Sequence, residues 1–152
     1  MSAFNAERVV RTQSFEVALP LVRAFPLFEP EGERAWAEGW EPSYLHPADG
    51  RATCGMVFTT GHGGEETIWT ITRHEPEMGL VEYQRVTPGS RTGSVRVQCA
   101  AVAAARTRVT VTYALTALTA AGNAHLREFD ATAYDDYIRT WEASIRERVA
   151  GG

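Results

Sequence analysis

From Leu126 to Val149 the apolar positions fall at Leu126, Phe129, Ala133, Tyr134, Tyr137, Ile138, Trp141, Ile145 and Val149. Steps of three and four residues mark a helix with one packed face. The pattern predicts one long amphipathic C-terminal helix, with Gly122 and Asn123 ahead of it and Asn123 as its N-cap. Asp130 falls inside the stripe, beside Phe129, Ala133 and Tyr134. Upstream the period changes to two. Phe15 and Val17 alternate with Ser14 and Glu16 in a strand over 9–17. Val95, Val97 and Cys99, then Val109, Val111, Tyr113 and Leu115, mark one face each of two later strands.

Between the first strand and the rest lie two short helices. Pro20 suits a helix start, and Pro26 splits or kinks the apolar stretch 21–28. The second short helix is expected over 31–40, with Ala35, Trp36 and Trp40 available for packing. A meander follows, with strands over 42–46, 52–60, 65–74, 79–87, 93–104 and 107–118. Its turns include HisGlyGlyGlu at 62–65 and ProGlySer at 88–90. The fold class is therefore α+β: a curved seven-stranded antiparallel sheet, dry on one side, wrapped around a long C-terminal helix. A curved sheet closed by one long helix tends to leave a space between them.

Composition narrows the chemistry. The 152 residues suit one domain over 1–152, with 44% apolar and 22% charged residues. No run of eighteen apolar residues predicts a membrane span. The opening MetSerAlaPheAsnAlaGluArgValVal has no apolar core of a secretory signal, so a cytoplasmic location is expected. A net charge of −4, with no basic patch interleaved with aromatics, argues against nucleic acid as a partner. All fifteen basic residues are arginine, which excludes chemistry through a lysine Schiff base. Cys54 and Cys99 show no ligand spacing and read as buried free thiols. His46, His62, His74 and His125 lack metal spacing as well, so neither a metal nor another cofactor is expected. GlyHisGlyGly at 61–64 is a hairpin tip rather than a phosphate loop, and no GxSxG nucleophile elbow occurs.

The order strand, two short helices, six-strand meander and long C-terminal helix resembles the START-like, or SRPBCC, helix-grip superfamily. That superfamily includes the birch-pollen-allergen fold and the polyketide cyclase/dehydrase and lipid-transport families. PheProLeuPheGluProGluGlyGluArgAlaTrp at 25–36 and GlyTrpGluPro at 39–42 look like the early signature of a bacterial branch. GlyAsnAlaHisLeu at 122–126, PheAspAlaThrAlaTyr at 129–134 and TrpGluAlaSerIle at 141–145 are similar to its closing helix. The resemblance implies a deep apolar cavity between sheet and final helix. It transfers no catalytic set, because this superfold hosts many activities.

Two groups carry candidate chemistry. A carboxylate such as Asp130, set between an apolar helix face and a sheet, would be desolvated and could serve as general acid or base or anchor a polar ligand group. Its alternative is a place at the stripe's edge, favoured by the helix dipole and partly in water. Period two also groups Trp69, Ile71 and Arg73 on one strand face and Val81, Tyr83 and Arg85 on another. Inward arginines lined by Tyr83 and Tyr113 could hold a carboxylate or an enolate-like oxygen; otherwise they leave at the rim and reach water. Trp36 and Trp40 either close the cavity mouth or pack on the sheet. The expected wall comprises Phe28, Trp36, Met56, Phe58, Trp69, Tyr83, Tyr113, Phe129, Tyr134, Tyr137 and Trp141, with Asp130 and Arg85 fixing orientation.

The function expected first is binding of a small, largely apolar molecule: a lipid, polyketide or aromatic compound. Alternatives are an enzyme of the cyclase, dehydratase or isomerase kind using the same cavity, and a regulatory protein-interaction domain. A homodimer is compatible with the sequence.

Overall fold

A computed structural model describes residues 3–151; the ends of the expected 1–152 domain, residues 1, 2 and 152, lie outside the described residues. The strands are β1 (Arg8–Val17), β2 (Ser43–His46), β3 (Val57–His62), β4 (Glu65–Glu75), β5 (Leu80–Thr87), β6 (Arg91–Ala103) and β7 (Arg106–Ala117). They form one antiparallel sheet in the order β1-β7-β6-β5-β4-β3-β2. Neighbours in sequence pair throughout the meander, and the last strand returns to the first, from Arg8 opposite Thr116 to Val17 opposite Thr107. The chain therefore crosses from one sheet edge to the other between β1 and β2. That crossing carries the short helices α1 (Leu21–Ala24) and α2 (Pro30–Glu33), separated by a 3-10 turn at Phe25–Phe28.

Alternation sets the two faces. Ile71, Val81, Tyr83, Val95, Val97, Val109, Val111, Tyr113 and Leu115 are buried on the inner face. Opposite them Thr12 and Thr112, and Ser14 and Thr110, pair their hydroxyls across β1 and β7 on the wet side. The helix α4 (Ala131–Gly151) covers the inner face with Tyr134, Ile138, Trp141 and Ile145, spaced four, three and four apart. The helix-grip architecture expected from the sequence is thus present.

The C-terminal stripe is nevertheless two helices. A nine-residue helix α3 (Ala120–Glu128) precedes α4 and breaks at Phe129 and Asp130. The break lets Phe129 leave the helix axis and pack against Tyr113 and Tyr134, at ring separations of 5.8 and 5.5 Å. Thr119 is the N-cap of α3, its hydroxyl accepting from the Gly122 amide at 3.1 Å. Asn123, expected in that role, is buried inside α3. Its Oδ1 accepts from the Glu7 amide at 2.8 Å, and its Nδ2 donates to the Asn5 carbonyl at 2.9 Å.

The second short helix is also shorter than the spacing implied. It ends at Glu33, and residues 34–39 run on as turns. The indole of Trp36 donates to the Leu27 carbonyl at 2.7 Å and that of Trp40 to the Pro30 carbonyl at 2.8 Å, folding this stretch back on the preceding turns. Gly32 permits the close approach: a Cβ there would stand 1.8 Å from the Pro26 carbonyl oxygen. The segment expected as a strand from residue 52 joins β3 only at Val57, after a turn that leaves Cys54 exposed. Cys99 alone of the two thiols is buried, and burial pushes it up to about 12.

Candidate functional site: an aromatic cavity between sheet and C-terminal helix

A cavity of about 400 Å³ lies between the inner sheet face, the turn after α2, and α4. That volume is within the usual range of small-molecule sites. The sheet contributes Trp69 from β4, Tyr83 and Arg85 from β5, Val95 and Val97 from β6, and Tyr113 and Leu115 from β7. Trp36 and Trp40 supply a second wall, and Phe129, Tyr137 and Trp141 the third. All four tryptophans of the chain therefore line one space. Trp36 meets Trp141 at a ring separation of 5.3 Å, and Trp40 meets Trp69 edge-on at 5.6 Å. Rings braced against rings hold the walls apart with little rotamer freedom.

The expected site residues fall in three groups. Trp36, Trp69, Tyr83, Arg85, Tyr113, Phe129, Tyr137 and Trp141 face the cavity. Phe28, Met56, Phe58 and Tyr134 are fully buried core behind it. Tyr134 uses its hydroxyl on the Val111 carbonyl, so its polar end is spent on the sheet.

Asp130 is outside the cavity. It is exposed, and its Oδ1 accepts from the Ala133 amide at 2.9 Å, an N-cap bond at the start of α4. The helix break displaced it: a stripe continuous through residue 130 would have carried its side chain inward. Arg73 does not join Arg85 either. A bulge between Ile71 and Arg73 shifts the register with β5, and Arg73 emerges to pair with Glu75.

Arg85 keeps its alternation and turns inward. Its guanidinium lies 4.9 Å from the Trp69 ring centroid, a cation–π contact. Its Nη2 donates to the Thr87 hydroxyl at 3.0 Å and to the Thr67 hydroxyl at 3.4 Å, while its Nε is buried without a partner. Desolvation pulls its pKa below the ordinary arginine value. Nearby, Arg91 is buried and binds Glu65 at 3.2 and 3.3 Å and the Ser90 hydroxyl at 2.9 Å.

The buried carboxyl that lines the cavity is Glu33, at the end of α2 and only 8% exposed. Burial alone drives its pKa well above the usual carboxylate range. The Tyr83 and Tyr113 phenols also sit far above their ordinary range, through desolvation first and then, among other charges, that of Glu33. The Tyr83 hydroxyl donates to the Phe28 carbonyl at 2.6 Å, and the Tyr113 and Tyr137 hydroxyls are 3.5 Å apart. His125 at the cavity edge is held below its usual value, by desolvation and then by the Arg91 charge.

Glu33 and Arg91 were not singled out from the sequence, although each carried a signal. Glu33 precedes Trp36 by three residues and Trp40 by seven, one helical face on the expected 31–40 helix. Arg91 shares the period-two row of Val95, Val97 and Cys99. Among the described residues, no group of three or more His, Cys, Asp or Glu side chains is placed to hold a metal ion. No described helix is long and apolar enough to cross a membrane.

No protein-family model matches the chain, and no curated protein matches it by sequence. Solved structures do match its shape. Norcoclaurine synthase from Thalictrum flavum, in complex with dopamine and hydroxybenzaldehyde, aligns over 96% of this chain and 88% of its own, with 11% identity and a TM-score of 0.68. The Mll3558 protein from Rhizobium loti aligns over 93% and 99%, with 18% identity and a TM-score of 0.61. An uncharacterized protein from Rhizobium leguminosarum aligns over 95% and 93%, with 13% identity and a TM-score of 0.63. Sheet order, paired short helices and closing helix are shared across nearly the whole of these chains. The protein has the helix-grip fold.

Proposed function

We propose that the protein binds a small, largely apolar or aromatic molecule in the cavity between its sheet and α4. The carrying observation is the 400 Å³ space into which all four indoles look. Covering about 200 Å² of apolar ligand surface there is worth about 5 kcal/mol before ordering costs. The likeness in shape to norcoclaurine synthase supports the reading, since that protein is seen with two aromatic molecules, dopamine and hydroxybenzaldehyde. Native mass spectrometry of protein purified from its own host, with calorimetric titration of neutral 2-naphthamide, tests it. A co-purifying small molecule, or saturable heat that Trp69→Ala weakens, is expected. Apo mass alone, together with no naphthamide heat, rejects the reading.

Glu33 gives a second reading its footing: an enzyme of the cyclase, dehydratase or isomerase kind. A neutral carboxyl inside an aromatic wall can give its proton to a substrate oxygen, or take one from carbon once ionised. Arg85 would steady the oxygen that gains charge. Glu33, rather than the exposed Asp130, is the proton-transfer group in this reading. Glu33→Gln should then abolish turnover and leave ligand affinity within about threefold.

A further inference from the structure

Resting on the ligand-binding reading above, we infer that the cavity selects an aromatic monoanion, its ring among the indoles and its charged oxygen group on the Arg85 guanidinium. The inference comes from what Arg85 lacks. Among the described residues it is ion-paired to no carboxylate, and only the neutral hydroxyls of Thr67 and Thr87 accept from it. Its Nε is buried and has no acceptor among the described residues. A guanidinium taken this far out of water without an anion is costly, and a bound anion relieves that cost directly.

The charges around the cavity leave one cation unmatched. Glu65 could have neutralised Arg85, but it binds Arg91 through both carboxylate oxygens. Glu33 lines the same space but makes no salt bridge with Arg85 in the described structure. Glu38 and His62 lie exposed at the rim, where water screens them. Tyr113, whose phenol burial holds far above its ordinary range, lines the same space, its hydroxyl 3.5 Å from that of Tyr137. Arg91 and Glu65 pair with each other, which leaves Arg85 without a carboxylate partner among the described residues.

Glu33 sharpens the selection. It is desolvated and makes no hydrogen bond among the described residues, and burial raises its pKa, which lowers the repulsion it would offer an anion. Trp69, under the guanidinium, extends an apolar floor from the charged end of the cavity toward Trp40. Ring and anion are thus recognised side by side, which favours a compact aryl carboxylate over a long-chain lipid acid.

Calorimetric titration at neutral pH with 2-naphthoate and with its neutral isostere 2-naphthamide tests the inference. The carboxylate should bind at least tenfold more tightly than the amide. Arg85→Met should erase that preference, and Arg85→Lys should restore part of it. If the amide binds as tightly as the carboxylate to the unaltered protein, charge selection is overturned and the apolar binding reading stands. If neither probe binds, charge selection falls, and the binding reading falls with it only where native mass spectrometry also finds the apo mass alone. The comparison on the unaltered protein decides the matter even where Arg85→Met does not fold.

Discussion

The indole of Trp69 lies flat against the phenyl ring of Phe58, with ring centroids 5.8 Å apart and planes 2° from parallel. Phe58 is fully buried one strand away, on β3, directly opposite Trp69 in the ladder. The cavity floor is therefore the front of a two-ring stack whose rear ring does not line the cavity. Trp69 is also pinned at its other end, its Nε1 donating to the Thr60 hydroxyl at 3.0 Å. Phe58→Ala removes the backing ring and should destabilise the protein by about 3–5 kcal/mol, read by denaturant unfolding. Phe58→Leu keeps most of the volume and should lose much less, while still lowering affinity for an aromatic probe because Trp69 gains freedom.

Asn123 ties the segment leading into β1 to α3. Both ends of its amide are used on backbone, at Glu7 and Asn5, from inside α3. Asn123→Ala should cost about 1–3 kcal/mol. Amide exchange at Glu7 should speed up more than at Phe15 in mid-strand. Uniform acceleration along β1 would mean instead that Asn123 acts through the whole fold.

Strand alternation carried the sequence reading furthest where the ladder was regular. Val81, Tyr83 and Arg85 share a face as period two requires, because the β5 pairing with β6 runs without a shift from Leu80 to Thr87. The same reasoning misplaced Arg73, since a single bulged residue after Ile71 reverses every orientation beyond it. Helix periodicity found the stripe of Tyr134, Ile138, Trp141 and Ile145 and missed the two-residue interruption before it. Spacing alone does not distinguish a continuous helix from two that share an apolar face. Glu33 was hidden for a different reason. Among several nearby acids, only the fold of the turns around Trp36 and Trp40 selects the one that loses water.

Asp130 separates the sequence-level expectation from the structure most directly. A carboxylate in the cavity would make Asp130→Asn damaging to binding or turnover. A carboxylate capping α4 from outside predicts something else. Asparagine caps about as well as aspartate, so Asp130→Asn should be nearly silent in stability, and Asp130→Ala should cost about 1 kcal/mol. Neither should change the affinity for 2-naphthamide. A loss of affinity in Asp130→Asn with unchanged melting would place this side chain at the ligand after all.

Glu33 makes the protein's stability depend on pH in an unusual direction for a carboxylate. Its folded-state pKa is raised, so between its unfolded value of about 4.5 and its folded value the native state holds a proton that the unfolded chain releases. Stability from this group is complete below the lower value and declines as pH rises toward the upper one, by up to about 1.4 kcal/mol per pH unit. Glu33→Gln removes the titration and keeps the volume. The difference in unfolding free energy between the two proteins should be flat below pH 4.5, then shift steadily in favour of the glutamine variant as pH rises. Denaturant unfolding at intervals from pH 4 to pH 8 measures it. Parallel curves would show that Glu33 ionises as an ordinary carboxylate, in a cavity wet enough to solvate it.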